Sequence, residues 1–402
     1  MKVLILSISA GGGHGTAAEA LKDYIVLRAP QSEIQIIDTL KYINPIIDKV
    51  VIGGYLKSLK VYPDLYGKLY TYSEYDYKIT SVISSRLIEA MTCKLLPLIN
   101  DFNPDILIST HSFSAEMLSV LKSKYNMTIP CMCIITDYYP HNSWLHPYLD
   151  AYVVSNKDMI DKMVSKNIPE DTIYSLGIPV KPEFSINYCK EDILKGLHLS
   201  PSKFTILIMG GSLGMGKILN IYKQLNKVTA DIQIIIITGK NKKLYSELFK
   251  IKENSLKNTI IIGFTQHVNK YMQASNLLLT KPGGLTITEA LISKIPIGLL
   301  SPIPGQEEKN AEFLLKHNLA VDLTDIEKFK KNIEDLLNSK DILNTMSENC
   351  YKFSKPYASS DIFNLIDKLI QKKSIEPYFS NTKKSMLKVT LKHFLNAEKN
   401  IF

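Results

Sequence analysis

Short apolar runs alternate with longer amphipathic segments along most of the chain. In the first half, the apolar runs predict strands at residues 3–8, 34–37, 105–109, 131–135 and 151–154. In the second half, they predict strands at residues 204–209, 232–237, 259–262, 276–279 and 297–300. Several of these runs are almost wholly apolar, which is typical of parallel strands covered by helices on both faces. The pattern therefore predicts two Rossmann-like α/β halves with a cleft between them.

Glycine, proline and polar residues divide the chain further. Gly177-Ile-Pro-Val180 closes the first series of elements, and residues 181–203 are interpreted as a linker. We expect a first domain at residues 1–180 with a long insert at 39–85, a second domain at 204–358, and terminal helices with a basic tail at 359–402. The sequence has no apolar run of the roughly 18 residues that a membrane-spanning helix needs, so any membrane contact is expected to be peripheral.

The formal net charge of +9 favours an anionic partner, such as phosphate, acidic lipid or nucleic acid. A generally lysine-rich proteome is the alternative explanation, and the charge alone does not decide between them. Nucleic acid is disfavoured because the sequence contains no recognised nucleic-acid-binding module. The five cysteines are odd in number and lack Cys-x-x-Cys spacing, so we expect free thiols in a reducing cytosol.

A glycine turn at Pro282-Gly-Gly284, here called the phosphate turn, joins an apolar run to a segment with helical spacing. Glycine allows a ligand to approach the backbone closely, and the free N–H groups and dipole of a helix start favour phosphate. Thr286 and Thr288 add hydroxyls in the first turn, and Glu289 is placed to accept hydrogen bonds from a sugar or a ribose diol. The segment therefore predicts a site for a nucleotide diphosphate.

A further glycine turn follows the first strand of each half, at residues 9–15 in the first half and at residues 209–216 in the second. Ligands bind at the carboxyl ends of strands in such sheets, so we expect these turns to face each other across the cleft. The first turn has two other interpretations: a tight turn that packs a helix on a strand, and a dinucleotide fingerprint with Asp38 as the ribose-binding acid. The fingerprint fails at its third glycine, because Thr16 occupies that position.

The order of these motifs carries a family resemblance. The motifs are Gly-Gly-Gly-His14, Thr136-Asp137 with Trp144, Gly177-Ile-Pro-Val, Met209-Gly-Gly-Ser, Gly263-Phe264-Thr, Thr280-Lys-Pro-Gly-Gly-Leu-Thr and Gly305-Gln-Glu-Glu-Lys-Asn-Ala. Over residues 2–320 the chain resembles the monogalactosyldiacylglycerol synthases and the bacterial processive diacylglycerol glucosyltransferases. That family is related more distantly to the enzyme that adds N-acetylglucosamine to the peptidoglycan lipid precursor. The resemblance implies a GT-B fold and inverting transfer of glucose or galactose from a UDP-sugar to diacylglycerol.

The resemblance also implies that the second domain binds the donor. Gly263 and Phe264 would line the uracil pocket, and Glu289 would take the ribose hydroxyls. The backbone at Leu285 and Thr286 would hold the diphosphate. The other implied donor-binding residues are Gly13, Gly211, Ser212, Gly283, Gly284, Gln306 and Glu307. Gln306 and Glu307 would contact the hexose. Alternatively, they would only begin a helix, where acidic residues interact favourably with the helix dipole. The sequence has no Asp-x-Asp motif, so we expect no essential metal at the diphosphate and no cofactor.

His14 and Asp137 are the candidate catalytic residues. A histidine that titrates near neutral pH at the cleft is suited to remove the proton of an attacking hydroxyl, although His14 is also placed to contact the donor phosphate. Asp137, at the end of an apolar run, is the second candidate base, and capping of the next segment is its alternative role. His111 is expected on the acceptor side.

The insert carries the acceptor prediction. It contains Tyr55, Tyr62, Tyr66 and Tyr70 among apolar and lysine residues, a composition that suits a headgroup boundary. A helical cap packed on the first domain is the alternative. Trp144 is assigned to the same acceptor side. The basic tail from Ser374 would lie on anionic lipid or pack across the two domains.

Together these features predict an enzyme that acts on the inner face of the cell membrane, with a UDP-hexose, diacylglycerol and an anionic membrane surface as partners. Two alternatives remain: transfer to a polyprenyl-linked saccharide, and a UDP-sugar sensor that binds without turnover.

Overall fold

The structure, a computed structural model, describes residues 1–9, 12–45, 87–211 and 217–375. Some of the predicted site lies outside the described residues, namely Tyr55, Tyr62, Tyr66, Tyr70, Ser212 and the tail beyond residue 375. In the part of the chain that is described, no helix is long and apolar enough to cross a membrane.

The first sheet has six parallel strands. They are β1 (Lys2–Ser7), β2 (Glu33–Asp38), β3 (Ile106–Ser109), β4 (Cys131–Ile134), β5 (Ala151–Val153) and β6 (Ile173–Tyr174), in the spatial order β2-β1-β3-β4-β5-β6. The helices in this part of the chain are α1 (Gly13–Arg28), α2 (Thr39–Ile43), α3 (Leu95–Phe102), α4 (Ser112–Tyr125), α5 (Asp158–Val164) and α6 (Lys190–Gly196). Residues 87–93 are also helical and run up to α3.

The second sheet is also six-stranded and parallel. Its strands are β7 (Phe204–Met209), β8 (Ile232–Ile237), β9 (Thr259–Ile262), β10 (Leu277–Thr280), β11 (Ile297–Leu299) and β12 (Ala320–Asp322), in the order β12-β11-β10-β7-β8-β9. The helices are α7 (Ile218–Leu225), α8 (Lys242–Lys252), α9 (Val268–Ala274), α10 (Gly284–Ile292), α11 (Gln306–Lys316), α12 (Phe329–Leu337), α13 (Lys340–Phe353) and α14 (Ala358–Ile375).

Apolar strands fit this architecture because both faces of each sheet are covered. In β1, Leu4 and Leu6 pack into one core cluster, whereas Val3 and Ile5 pack into another on the opposite face. Every residue of β8 is buried. Burying one such aliphatic side chain contributes about 1.5–3 kcal/mol. The prediction of two parallel α/β halves is confirmed.

The last described helix returns to the first sheet. Ile362, Leu365 and Ile366 of α14 pack with Val3 and Ile5 of β1. The helix thus adds a layer to the first half, although it follows the second half in sequence.

Two helices begin earlier than their apolar spacing predicts, and the difference places the site residues. The alanine-rich segment after the first glycine turn predicts a helix over residues 16–28, but the structure starts α1 at Gly13, directly after Gly12 in the left-handed region with φ 90°. Likewise α10 begins at Gly284 rather than at Thr286. His14 and Leu285 therefore lie in the first turns of helices and not in the loops before them.

Candidate active site

The first turns of α1 and α10 face each other across the cleft. A methyl group placed on Gly13 would lie 3.8 Å from Leu285 Cβ, an ordinary van der Waals contact. Each helix follows the carboxyl end of an interior strand of its own sheet, β1 for α1 and β10 for α10. The first glycine turn therefore faces the phosphate turn. That it also faces the turn at 209–216 stays a prediction, because residues 212–216 lie outside the described residues.

The phosphate turn presents a helix start to the cleft. Gly283 has extended backbone with φ −74° and ψ 134°, and no side chain caps α10. The amide groups of Gly284, Leu285 and Thr286 open the helix, where N–H groups lack intrahelical acceptors. Together with the helix dipole, they form a site for an anion.

Gly284 also touches the first half of the molecule. A methyl group on Gly284 would lie 2.0 Å from the carbonyl oxygen of Thr136 and 3.3 Å from Asp137 Cα. Only a residue without a side chain permits this approach, because backbone lies against backbone. The phosphate turn and the end of β4 are therefore in direct contact.

His14 lies beside the same segment. Its Nδ1 is 2.7 Å from Thr136 Oγ1, and its ring centroid is 4.7 Å from that of His111 and 6.0 Å from that of Trp144. Burial lowers the pKa of His14 to about 4, and a hydrogen bond with the backbone of Thr110 partly opposes the shift. The residue as a whole is half-buried. At neutral pH, His14 is thus an uncharged imidazole at the cleft.

Asp137 points its carboxylate into the second half. The carboxylate accepts hydrogen bonds from Gln306 Nε2, from Asn310 Nδ2 at 3.4 Å and from the indole of Trp144. Burial raises the pKa of Asp137, and these three donors oppose the shift. An oxygen already surrounded by donors is poorly placed to receive a proton from a substrate, so the contacts favour a positioning role.

Tyr138 and Asn310 complete this contact between the halves. The backbone N–H of Tyr138 donates to Asn310 Oδ1 at 2.8 Å, and its hydroxyl lies 3.0 Å from Thr288 Oγ1. Asn310 is fully buried and also donates to the carbonyl of Pro282 at 3.1 Å. We call residues 136–138 the interdomain strap, because they connect the end of β4 to both α10 and α11.

Glu307 and Glu308 have partners within the second half. Glu307 is buried, forms an ion pair with Lys281 and accepts a hydrogen bond from the backbone of Ile303 at 2.8 Å. Glu308 accepts from the backbone of Gly305 at 2.8 Å and so stabilises the start of α11. A methyl on Gly211, where φ is 70°, would lie 3.7 Å from Lys281 Cε, so this lysine passes between two glycine turns.

Glu289 is a strongly perturbed carboxyl group of the cleft. Burial raises its pKa to about 8, and the positive charge of Lys181 opposes the shift. Among the described residues, none donates a hydrogen bond to its side chain. A desolvated carboxyl group without donors is suited to a ligand that brings hydroxyl groups.

Phe264 stands at the rim beyond β9. Its side chain is 60% exposed, with Lys240 Nζ 5.5 Å from the ring centroid. Gly263 beside it has open space where a side chain would stand. An exposed aromatic face next to open space is suited to stacking with a flat ring.

Comparisons with known proteins agree with this geometry. Residues 14–180 match the model of the monogalactosyldiacylglycerol (MGDG) synthase family, and residues 205–362 match the C-terminal domain of glycosyltransferase family 28. A processive diacylglycerol beta-glucosyltransferase of Staphylococcus epidermidis is 30% identical over 90% of this chain and 91% of its own length. The chain belongs to the diacylglycerol glycosyltransferase family.

Solved structures support the fold of this family member. The crystal structure of Acinetobacter baumannii MurG matches with a TM-score of 0.59 and 14% identity, covering 91% of this chain and 99% of that one. The UDP-GlcNAc 2-epimerase of Neisseria meningitidis, bound to UDP-GlcNAc, matches with a TM-score of 0.58 and 17% identity, covering 92% and 100%. The predicted GT-B fold is confirmed.

Sequence reasoning gave no role to several residues of this diacylglycerol glycosyltransferase family member. Thr136, Lys281 and Asn310 all stand inside motifs that carried the resemblance, and the structure places each at a contact between elements. Their positions next to candidate residues were the only available signal. The roles of the predicted site residues and the domain boundaries stay predictions.

Replacing Glu289 with glutamine is expected to weaken UDP binding. Glutamine keeps the shape but cannot lose a proton, so it offers one acceptor oxygen where the ribose-bound carboxylate offers two, at a cost of about 1–3 kcal/mol, or roughly 5-fold to 150-fold in affinity. Calorimetric titration with UDP checks this. Glu312→Gln, on an exposed position of α11, is the matched control. Unchanged UDP affinity in Glu289→Gln contradicts the ribose assignment.

Glu289→Gln is expected to gain stability relative to the wild type as the pH rises. The pKa of about 8 in the folded state lies above the ordinary 4.5, so the folded protein retains a proton that the unfolded chain has lost. The stability from this group is complete below pH 4.5 and is lost as the pH rises through about 8. Thermal unfolding at pH 5 and pH 8.5 should show the advantage of Glu289→Gln increasing with pH, by up to about 4 kcal/mol.

Replacing Asp137 with asparagine separates its two candidate roles. The new amide group would face three donors, so we expect a loss of about 1–3 kcal/mol in the free energy of unfolding. Transfer should fall roughly tenfold, well short of the loss of a general base. Asp158→Asn, which removes contacts to Lys316 at the end of α11 and to His317 directly after it, is the control. A loss of about 100-fold or more at unchanged stability would make Asp137 the base.

Proposed function

We propose that the protein is an inverting glycosyltransferase that moves glucose or galactose from a UDP-sugar to the free hydroxyl of diacylglycerol. The observation that carries this proposal is the position of Thr136. Its hydroxyl contacts His14, and its carbonyl oxygen lies against Gly284 of the phosphate turn. A candidate base and a diphosphate site thus share one cleft, as transfer from a nucleotide sugar requires.

The second half supplies the donor site in this proposal. The uracil stacks on Phe264 beside Gly263, the ribose hydroxyls donate to Glu289, and the amides of Leu285 and Thr286 hold the diphosphate. We propose that these amides and the helix dipole serve where other transferases use a metal ion. Among the described residues, no group of three or more His, Cys, Asp or Glu side chains is arranged to hold a metal.

The side chains of Gln306 and Glu307 are not free in the cleft, as a role in binding the hexose would suggest. Both already contact protein groups, Asp137 and Lys281 respectively. For either side chain to read the hexose hydroxyls, as we propose, it must share or exchange these contacts when the donor binds.

The acceptor assignment is supported by the relatives. The similar proteins of Staphylococcus epidermidis and Staphylococcus saprophyticus are both processive diacylglycerol beta-glucosyltransferases, each 30% identical to this chain. We propose the same acceptor here, reached at an anionic membrane surface on the cytoplasmic side. The net charge of +9 favours that surface electrostatically.

The proposed step is a single displacement. An oxygen lone pair of the diacylglycerol hydroxyl forms a bond to C1 of the hexose as the bond from C1 to the phosphate oxygen breaks. That bonding pair leaves with UDP, and the hydroxyl proton moves to His14. The imidazole is neutral and takes the proton when it exchanges its contact with Thr136 Oγ1 or with the backbone of Thr110 for the acceptor hydroxyl. The negative diphosphate across the cleft raises the pKa of His14 when the donor binds.

Incubation with UDP-glucose or UDP-galactose and diacylglycerol in anionic liposomes tests the proposal. We expect a hexosyl-diacylglycerol, detected by mass spectrometry, with one of the two donors. Absence of glycolipid with both donors refutes it. UDP release with only a polyprenyl-linked saccharide would identify another acceptor, and UDP-sugar binding without UDP release would identify a sensor.

A further inference from the structure

Three aromatic rings form a cup on the first half of the cleft. His14 and His111 meet edge to face with centroids 4.7 Å apart, and Trp144 lies 6.0 Å and 6.3 Å from them. Trp144 is buried, whereas both histidines keep some accessible surface. The indole donates to Asp137, so Trp144 has no donor left for a ligand.

The backbone of His111 is held firmly where β3 ends. Ser109 Oγ donates to the carbonyl of His111 at 2.7 Å and accepts from its N–H at 3.2 Å. Thr110, which precedes His111, is hydrogen-bonded to β1, because its N–H donates to the carbonyl of Leu6 at 3.1 Å. The imidazole therefore projects from a rigid support.

The hydrogen bonds of His111 also settle its tautomer. Its Nδ1 accepts from the backbone N–H of Phe113 at 3.1 Å and so caps α4. Burial and the nearby His14 keep the pKa of His111 well below its ordinary value, so the ring is neutral. A neutral ring that accepts at Nδ1 carries its hydrogen on Nε2. Within the described residues, no group accepts that hydrogen.

We propose that His111 is a further catalytic residue, whose Nε2–H donates a hydrogen bond to the acceptor hydroxyl oxygen while His14 removes the proton. This inference rests on the proposed function. The oxygen uses one lone pair for the new bond to C1 and the other to accept from His111. His14 contacts the proton of the hydroxyl and His111 contacts its second lone pair, and the two contacts together fix the direction of attack.

Two substitutions separate this role from helix capping. Asparagine is a strong N-cap residue, so His111→Asn keeps the bond to Phe113 and removes the distal donor. Glutamine places an amide N–H near the position of Nε2 and is a poor N-cap, so His111→Gln keeps a donor and loses the cap. The first variant tests the donor and the second tests the cap.

The proposal predicts opposite outcomes for the two variants. His111→Asn should unfold at the wild-type temperature, bind UDP as the wild type does, and lose about tenfold or more in kcat/KM for diacylglycerol. His111→Gln should unfold at a lower temperature but retain more transfer than His111→Asn. Thermal unfolding, calorimetry with UDP and glycolipid formation at several diacylglycerol concentrations measure these quantities.

The proposal is overturned if His111→Asn transfers hexose as fast as the wild type, since capping would then be the whole role of His111. It is also overturned if both variants lose transfer equally, because the amide N–H of His111→Gln would then have failed to replace the Nε2–H donor. If the wild-type protein forms no glycolipid, the proposed function itself is overturned. If the wild type is active and the variants give either of the two results above, only the role of His111 is overturned.

Discussion

Replacing His14 with asparagine should lower hexose transfer to diacylglycerol by about 100-fold to 10,000-fold, with UDP affinity changed only slightly. Asparagine keeps a polar group near Thr136 Oγ1, 2.7 Å from Nδ1 in the wild type, but it cannot take a proton from the acceptor. Binding of UDP depends mainly on α10, so the donor site should remain. The loss is therefore expected in kcat and not in donor affinity.

A surface histidine provides the control for this substitution. His198 is exposed and has φ 56°, a conformation that asparagine adopts readily. His198→Asn should transfer hexose at the wild-type rate. If His14→Asn also retains the wild-type rate, His14 is not the base. If it loses UDP affinity as strongly as transfer, His14 serves the donor phosphate instead.

The pH dependence of stability gives a second readout on His14. Its pKa of about 4 in the folded state lies below the ordinary 6.5, so the unfolded chain binds the proton more readily. The stability from this group is present above pH 6.5 and is lost as the pH falls through about 4. His14→Asn should flatten the dependence of the unfolding temperature on pH across this window.

Replacing Gly284 with alanine should separate the two halves at the phosphate turn. The new methyl group would lie 2.0 Å from the carbonyl oxygen of Thr136, and backbone atoms cannot rotate away as a side chain does. We expect a loss of about 1–3 kcal/mol from the clash, together with transfer lowered by about 100-fold as the interdomain strap leaves its place. Thermal unfolding, solution scattering and glycolipid formation measure these effects.

Gly283 supplies the control for the clash. A methyl group there would lie 3.9 Å from Glu307 Oε1, and its φ of −74° suits alanine. Gly283→Ala should therefore keep the wild-type unfolding temperature and the wild-type scattering profile. If Gly284→Ala shows the same stability, scattering and transfer as the wild type, contact between the phosphate turn and the interdomain strap is not required.

The sheets and the phosphate turn were predictable because their signals are local. Apolar runs such as 204–209 and 232–237 coincide with β7 and β8, since a strand buried on both faces is almost wholly apolar. The edge strands β6 and β12 were missed. They are two and three residues long, too short for any periodicity.

The site was predictable only where chemistry and turn coincide in the sequence. Glu289 and His14 stand beside glycine turns, so their proximity to a ligand could be inferred. The bond of Asp137 to Gln306 joins residues 169 positions apart, and that of Tyr138 to Asn310 joins residues 172 apart. Contacts of this kind depend on how the halves meet, which the spacing of residues along one chain does not encode.

Parallel quantification of UDP, free hexose and glycolipid tests the central claim most directly. Diacylglycerol in anionic liposomes is supplied with UDP-glucose or UDP-galactose, and the anomeric configuration of the lipid product is determined by NMR. We predict one UDP for each hexose transferred to lipid and a β-linked sugar, opposite in configuration to the α-linked donor. UDP released with free hexose and no glycolipid, or an α-linked product, would contradict it.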